Sequence, residues 1–320
     1  MIRTAVVGVG YLGRFHAQKH KLLADCGAAK GGDPNEDIQF AGVFDANAER
    51  ASEVAQELGV PVLSTLQEVA SKADAVTVAS TTSTHFEVAK FFLKQKKHVN
   101  LEKPMTATEG EARELLQIAR DQSVLLSVGH SERFNPCFRE LRQRFERPQF
   151  VELRRHAPFR RRGSDVSVVL DLMVHDLDMV LNWCDWRDAI VIRSAMGGRT
   201  HSETLDWAEC VLSAGPQSFH ISVSRVAPQM LRTFRGFQGS WSFAADFQTN
   251  EVTADEWRAG GETPINKEQH RLDKADHLLL ETEAFLRAVR GQAPLEIPGE
   301  QGLRVLEMAF AVERLADRSS

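Results

Sequence analysis

The 320-residue chain lacks the features of a membrane-embedded or nucleic-acid-binding protein. No apolar run approaches the roughly 20 residues that a membrane-spanning helix needs. Positive charge is not in excess, since 39 lysine and arginine residues stand against 44 aspartate and glutamate residues, a formal net charge of −5. We therefore expect no membrane segment and no nucleic-acid partner, because binding to phosphates requires a surplus of positive charge.

Cysteine is scarce and shows neither metal-type nor redox-type spacing. The four cysteines are Cys26, Cys137, Cys184 and Cys210, and we expect four reduced thiols. The first residues lead directly into a glycine-rich turn, so we expect no secretory signal. Both observations predict a cytoplasmic protein.

Two different rhythms of secondary structure divide the chain, which is long enough for two domains. Short β-branched runs alternate with helical patterns as far as residue 129, which predicts a doubly wound parallel sheet. Consecutive strand-like runs follow, which predicts an α+β region with a largely antiparallel open sheet. The segments that matter below are a predicted surface loop over Asp25–Asp37, a helix over Ser167–Cys184, five strands between Ala189 and Phe247, and closing helices over Asp276–Arg290 and Gly299–Asp317.

A glycine fingerprint, G-x-G-x-x-G, lies between the first predicted strand and helix. Gly8 permits the tight turn, Gly10 lets a pyrophosphate approach the backbone, and Gly13 lets the helix pack on the strand. The helix N-terminus, with Tyr11 and Leu12, presents free N–H groups to phosphates. The alternative is an ordinary strand-to-helix turn. We predict a dinucleotide-binding Rossmann domain over 1–129 and a substrate-binding and oligomerisation domain over 130–320, an α/β protein as a whole.

The choice of dinucleotide is predicted from Asp45, at the end of the second predicted strand. A carboxylate there accepts hydrogen bonds from the ribose hydroxyls and repels a 2′-phosphate, which favours NAD over NADP. Its distance from Gly13 exceeds the usual ~20 residues, and the Asp25–Asp37 loop accounts for the excess. The alternative is that Asp45 caps the next helix.

Four further segments resemble the Gfo/Idh/MocA family (glucose-fructose oxidoreductase, inositol dehydrogenase and rhizopine-catabolism proteins). They are the E-K-P run in His98–Pro104, the loop Ala79–His85, the junction Ser127–His130 with Arg133–Pro136, and the C-terminal run from Glu283 through Pro294 to Gly302. One departure is Thr82, where many members have proline. The resemblance implies that the cofactor contacts include Ser80, Thr81, Thr82, His85, Glu102 and Lys103. It also implies a homodimer or homotetramer that forms through the C-terminal sheet.

The resemblance implies a catalytic lysine together with an acid and a histidine four residues apart, which here are Lys103, Asp171 and His175. The residue types agree, because side chains at i and i+4 share a helix face. Histidine, with a pKa of about 6.5, suits removal of a hydroxyl proton. The alternative for each residue by itself is a structural histidine or a solvated lysine. We expect no metal, because His85, His130, Asp171 and His175 do not form a compact ligand set.

The substrate is predicted from a basic run, Arg154–Arg162, in an otherwise acidic chain. Arg160, Arg161 and Arg162 suit phosphate recognition, and the alternatives are a solvated loop or an oligomer contact. The run from Arg160 to Asp178 resembles a bacterial subgroup, associated with lipid A synthesis, that oxidises the 3-hydroxyl of UDP-N-acetylglucosamine. We expect Asp176 to lie on the substrate side and to orient His175. The alternative is that Asp176 and Asp178 bind neighbouring basic groups.

Three other functions remain open at this point. A dehydrogenase of a free sugar, polyol or inositol would share the catalytic residues but would not need the arginine loop. A biliverdin-reductase-like enzyme would not need the lysine and histidine. A non-catalytic NAD-binding regulator would tolerate the loss of both.

Overall fold

A computed structural model describes residues 1–29, 38–159, 166–186 and 188–318. The chain forms two compact units, one of Met1–Ser131 with Asp276–Leu303 and the other of Glu132–Ala275 with Arg304–Ser320. Within the described ranges, no helix is both long enough and apolar enough to span a membrane.

The first unit contains a five-stranded parallel sheet in the order β2-β1-β3-β4-β5. Its strands are β1 (Ile2–Val7), β2 (Ile38–Phe44), β3 (Ala75–Val78), β4 (His98–Leu101) and β5 (Leu126–Val128). Its helices are α1 (Tyr11–Ala29), α2 (Ala48–Leu58), α3 (Leu66–Lys72), α4 (Thr82–Lys94), α5 (Glu109–Gln122) and α8 (His277–Val289). The predicted doubly wound parallel sheet is confirmed.

Local sequence fixes the ends of several of these helices. α2 begins at Asn47, whose side chain accepts a hydrogen bond from the Arg50 N–H, and ends at Gly59 in the left-handed conformation. α5 begins with a reciprocal capping box between Thr108 and Glu111. α1 extends to Ala29, so the predicted Asp25–Asp37 loop is helical in its first five residues; residues 30–37 lie outside the described ranges.

The C-terminal segment Asp276–Leu303 belongs to the first unit. The predicted division into 1–129 and 130–320 places this segment in the second domain instead. Phe285 and Leu286 of α8 are buried in one cluster with Ala75, and Ile2 and Leu23 pack against them. The apolar face of α8 therefore completes the core of the parallel sheet. Chain order alone assigned this segment to 130–320, because the amphipathic pattern of a helix does not specify its partner.

The second unit contains an eight-stranded sheet in the order β13-β12-β11-β10-β6-β9-β8-β7, antiparallel except for the pair β6 and β9. Its strands are β6 (Phe150–His156), β7 (Ile190–Gly198), β8 (Trp207–Ala214), β9 (Gln217–Ser224), β10 (Leu231–Gln238), β11 (Trp241–Asp246), β12 (Glu251–Glu256) and β13 (Asn266–Arg271). Its helices are α6 (Pro136–Arg144) and α7 (Val174–Trp183), and α9 (Gly299–Asp317) begins in the first unit and ends here. The predicted, largely antiparallel sheet is confirmed.

Two features of this unit differ from the sequence-based expectation. Strands β12 and β13 were not predicted, and β13 carries no apolar side chain that would mark it. The predicted helix over Ser167–Cys184 is a π-helical turn over Val169–Met173 followed by α7. A change from α-helical to π-helical hydrogen bonding leaves no signal in apolar periodicity.

Candidate active site

The segments that follow the parallel strands lie side by side at one edge of the sheet. Backbone hydrogen bonds continue past the strand ends from Gly8 N to Phe44 O (2.8 Å), Ala79 N to Val7 O (2.8 Å), Glu102 N to Val78 O (2.9 Å) and Gly129 N to Leu101 O (2.8 Å). The strand order reverses between β1 and β3. Open α/β sheets bind their ligands at this carboxyl edge, in the crevice at the reversal.

The glycine fingerprint has the geometry that its residues predict. Gly8 has a φ of +83°, and a Cβ on it would lie 2.5 Å from the Ser80 nitrogen. A Cβ on Gly13 would lie 1.8 Å from the Gly8 carbonyl oxygen, so only glycine allows α1 to approach the turn. A Cβ on Gly10 would meet no atom within 4 Å among the described residues. The open backbone at Gly10 and the N-terminus of α1, with Tyr11 exposed, fit a dinucleotide pyrophosphate.

Asp45 is held by backbone N–H groups of the nucleotide loop. Its Oδ2 accepts a hydrogen bond from Val9 N (2.7 Å) and its Oδ1 accepts one from Asn47 N (2.9 Å). The N-cap of α2 is Asn47, so Asp45 does not occupy the helix-capping position that was its alternative. Each carboxylate oxygen has a further lone pair for a ribose hydroxyl.

The loop after β3 is organised around a buried histidine. His85 is 1% exposed, and its Nδ1 and Nε2 lie 3.0 Å from Pro104 O and 3.1 Å from Ser80 O. Burial lowers the pKa of His85, so a neutral ring donates to one carbonyl at a time. Both nitrogens face protein backbone, which favours a role in joining two loops over the predicted cofactor contact. Ser80 is half-buried, Thr81 is the exposed N-cap residue before α4, and Thr82 is the first residue of α4.

The E-K-P turn follows β4 directly. Glu102 is 6% exposed; its Oε1 lies 2.6 Å from His16 Nε2 and its Oε2 accepts a hydrogen bond from the Lys103 N–H (3.0 Å). Lys103 is half-buried, and the Lys103–Pro104 peptide bond is cis. With both of its oxygens engaged, Glu102 shapes the turn that presents Lys103, and little of it is left to contact a cofactor.

Asp171 and His175 lie in the second unit, where the π-helical turn passes into α7. Asp171 is in the turn, His175 is the second residue of α7, and both are half-buried. Ser167 starts the segment: its Oγ accepts a hydrogen bond from Val169 N (3.2 Å) and its carbonyl oxygen accepts one from Asp171 N (3.0 Å). π-helical turns occur frequently at functional sites.

Buried ion pairs hold α7 against its surroundings in the second unit. Asp176 is 2% exposed, and Arg155 Nε and Nη2 donate to its carboxylate at 3.2 and 2.9 Å. Arg155 Nη1 also donates to Glu132 Oε1 (3.0 Å). Asp176 is therefore an anchor beside His175, and its burial disfavours the predicted substrate contact. Desolvation raises the pKa of Asp176, and Arg155 opposes that shift.

The basic run divides into described and undescribed parts. Arg155 is buried in the ion pairs above, and Arg154, 44% exposed at its side chain, faces Glu152 at 2.9 Å. Arg160, Arg161 and Arg162 lie outside the described residues. The described residues on either side of these three arginines have contacts of their own. The ring centroids of Phe159 and His201 lie 4.0 Å apart, and Val166 O accepts a hydrogen bond from Arg225 Nη2 (2.7 Å).

Comparison with known proteins agrees with this arrangement. The Gfo/Idh/MocA model, described as an oxidoreductase family with an NAD-binding Rossmann fold, matches residues 2–130. The chain is 35% identical to UDP-N-acetylglucosamine 3-dehydrogenase of Acidithiobacillus ferrooxidans over 97% of its own length and 96% of that protein. The chain belongs to the Gfo/Idh/MocA oxidoreductase family.

A solved structure and a further relative are similar over different lengths of the chain. A solved structure of the Acidithiobacillus ferrooxidans enzyme superposes with a TM-score of 0.88 at 33% identity, covering 99% of this chain and 98% of that one. Myo-inositol 2-dehydrogenase of Thermotoga maritima is 28% identical over 56% of this chain and 53% of its own. The predicted family, fold class and oxidoreductase class are confirmed.

The residues that hold the motif side chains in place could not be identified from the sequence. His16, Arg155 and Glu132 were not assigned such roles, and Glu281 was not considered. Their partners are distant in sequence, since His16 and Glu102 are 86 residues apart and Arg155 and Glu132 are 23 apart. A buried charged residue is unusual enough to be a signal, but burial is visible only in the structure.

Proposed function

We propose that this oxidoreductase transfers a hydride from the 3-hydroxyl of a UDP-sugar, such as UDP-N-acetylglucosamine, to NAD. The observation that carries the proposal is a similarity that extends over 97% of the chain to an enzyme named for that reaction. The inositol dehydrogenase of Thermotoga maritima matches over 56%. A similarity supports a substrate assignment when it includes the C-terminal part of the chain, which is proposed to bind the substrate. The similarity to the Acidithiobacillus ferrooxidans enzyme includes that part.

The proposed chemistry assigns one role to each motif residue. When bound, NAD accepts the hydride. His175 takes the hydroxyl proton as general base, and Asp171, on the preceding turn, holds the imidazole. Lys103 donates a hydrogen bond to the substrate oxygen. The ion pairs of Asp176 and Asp178 limit rotation of α7 and so fix the direction in which His175 points.

Mutation of the two main residues tests this assignment. His175→Ala and Lys103→Ala should each lower kcat for NADH formation by ~10²–10⁴-fold, while the Kd for NAD stays within a few-fold. Arg193→Ala, an exposed change on β7 with its guanidinium on Ser213, is the control. Turnover near that of the control in either variant would remove that residue from the mechanism.

We propose NAD as the preferred dinucleotide because of Asp45. Its carboxylate is tied to Val9 N, and a 2′-phosphate beside it would meet a fixed negative charge. Arg50, the nearby cation, donates to Val9 O and Glu53, so its charge is already matched. Titration should give a lower Kd for NAD than for NADP, and Asp45→Asn should reduce the ratio between these two Kd values. Equal affinities in the unmutated protein would contradict the assignment.

We propose Arg160, Arg161 and Arg162 as contacts for the substrate diphosphate. A charge-assisted hydrogen bond contributes about 1.5–3 kcal/mol, so each change to alanine should raise KM for a UDP-sugar about ten- to a hundredfold. Added salt should raise KM as well. A free sugar or inositol turned over as well as a UDP-sugar, and unaffected by these changes, would favour the dehydrogenase of an uncharged substrate instead. The homodimer or homotetramer stays a prediction, which light scattering would test.

A further inference from the structure

A buried polar cluster adjoins the Lys103 main chain and takes no direct part in the proposed chemistry. His16 of α1, Glu102 after β4 and Glu281 of α8 are 0%, 6% and 2% exposed. One imidazole nitrogen of His16 and one carboxylate oxygen from each glutamate lie within 4.8 Å of one another. Asn100 of β4, also buried, donates to Glu281 Oε1 at 3.0 Å. Three separate stretches of the chain thus bring ionisable groups together in the interior of the first unit.

The charges in this cluster follow from its contacts. Burial alone would lower the pKa of His16, but the carboxylates of Glu102 and Glu281 outweigh it and raise that pKa, against a smaller opposing effect of Lys19. Burial by itself would raise the pKa of Glu102, but the same imidazole and Lys103 outweigh it and lower that pKa. Below the raised pKa of His16, the two side chains are therefore an imidazolium and a carboxylate.

The next turn of α1 provides an internal comparison. His20 is equally buried, but its Nε2 lies 2.9 Å from the Thr77 hydroxyl instead of a carboxylate. Desolvation lowers its pKa to about 3, so His20 is neutral. Two histidines four residues apart on one helix therefore have pKa values shifted in opposite directions, because one of them faces Glu102.

The Glu102 carboxylate is confined by its neighbours. His16 holds Oε1 and the Lys103 N–H holds Oε2, and a Cβ on Gly129 would lie 2.9 Å from Oε1. Two ligands of one tetrahedral zinc ion are roughly 3.3 Å apart for bonds of about 2.0–2.1 Å, so the 2.6 Å contact between His16 and Glu102 is that of a direct hydrogen bond. Any shift of the carboxylate moves the hydrogen bond that holds the Lys103 main chain.

We propose that His16 and Glu281 are positioning residues, which fix the Glu102 carboxylate and through it the backbone of Lys103. This inference rests on the proposed role of Lys103 in the reaction. Because the folded-state pKa of His16 is raised, the ion pair is complete below the unfolded value of about 6.5. It is lost as the pH rises through the folded value. The facing charged or titratable groups are Lys19 of α1, Glu102, Lys103, His85 of α4 and Glu281 of α8.

The test compares His16→Gln with His20→Gln in the full-length protein. Glutamine keeps a donor for Glu102 but removes the positive charge, so His16→Gln should lower kcat about 10- to 100-fold through misplacement of Lys103. The Kd for NAD should change by less than about threefold, below the ~10-fold of a lost hydrogen bond. The unmutated protein and His20→Gln should show an alkaline fall in kcat that His16→Gln lacks. Equal kcat and equal pH profiles in the two variants would overturn the proposal.

Two further measurements keep the proposal testable if His16→Gln does not fold. Glu281→Gln leaves the His16–Glu102 pair but removes a charge that raises the His16 pKa, so the alkaline fall should move to lower pH. Histidine NMR should show the same shift for the His16 resonance, and an unchanged His16 titration would refute the proposal.

Amide exchange separates this inference from the proposed function. The Lys103 N–H should exchange faster in Glu281→Gln and in Glu102→Gln than in the unmutated protein, whatever Lys103 does. If exchange rises but Lys103→Met retains full turnover, the assignment of Lys103 to the reaction is wrong and the positioning role stands. If Lys103→Met loses turnover but exchange does not change, the positioning role is wrong and the proposed function stands.

Discussion

The buried ion pair between Arg133 and Asp178 gives a sharp prediction about stability. Asp178 accepts from Arg133 Nε at 2.7 Å and from Nη2 at 2.5 Å, and the two side chains are 0% and 4% exposed. Asp178→Asn keeps the volume but turns an amide N–H₂ towards the guanidinium, so the buried Arg133 loses the carboxylate that accepts both of these hydrogen bonds. Removing one partner of such a pair costs about 3–5 kcal/mol, and about 2–4 °C is lost per kcal/mol in a domain of this size. We expect Tm of the second unit to fall by about 6–20 °C.

Tryptophan fluorescence isolates this effect, because all five tryptophans of the chain lie between residues 183 and 257, within the second unit. Asp317→Asn is the matched control, since the Arg199–Asp317 pair is 44% and 51% exposed and such pairs contribute about 0–1 kcal/mol. Arg133→Met combined with Asp178→Leu should recover much of the loss, because both charges of this pair are then removed together. A Tm for Asp178→Asn as high as that of Asp317→Asn would refute this reasoning.

Three further predictions concern other parts of the molecule. Gly13→Ala should abolish NAD binding measured by calorimetry, because its Cβ would fall 1.8 Å from the Gly8 carbonyl oxygen; retained affinity would mean that the turn can shift. Burial by itself would raise the pKa of Asp206, but backbone and hydroxyl donors together outweigh it and lower that pKa. The contribution of Asp206 to stability is therefore present above its unfolded pKa and lost on acidification, so Asp206→Asn should flatten the fall in Tm between about pH 5 and pH 2. A disulfide-exchange assay on native protein should show one fast-reacting thiol, Cys26, because the other three cysteines are buried. Burial raises the pKa of Cys137 to about 11 and that of Cys184 and Cys210 to about 12. A second fast-reacting thiol would contradict this prediction.

The parallel sheet and the nucleotide loop could be predicted because their signals are local. The five parallel strands lie where short β-branched runs alternate with helical patterns before residue 129, since such runs between turns identify buried strands. The geometry of the glycine fingerprint is likewise local, because it depends only on its own backbone and on the loop that follows β3. Features that depend on neighbours in sequence are therefore readable without the structure.

Features that depend on pairing across the fold could not be predicted. Strand β13, with the sequence NKEQHR, is held by its backbone ladder to β12 at the edge of the sheet, and charged edge strands resemble loops in sequence. The π-helical turn before His175 changes hydrogen bonding and not composition. For Asp176 the sequence left two roles open, orientation of His175 on the substrate side or binding of a neighbouring basic group, and the buried pair with Arg155 agrees with the second.

The acidic motif around His175 separates into residues that we propose for the chemistry and residues that hold the position of α7. Asp171 and His175 are half-buried, while Asp176 and Asp178 are at most 2% exposed and bind Arg155 and Arg133. A similar division holds at the E-K-P turn, where Lys103 is half-buried and Glu102 is buried against His16. In both places an acidic neighbour, bound to a buried cation, adjoins the residue proposed to meet substrate. A buried pair gives little net stability but a large penalty when broken, so it fixes orientation more than it adds to the free energy of unfolding.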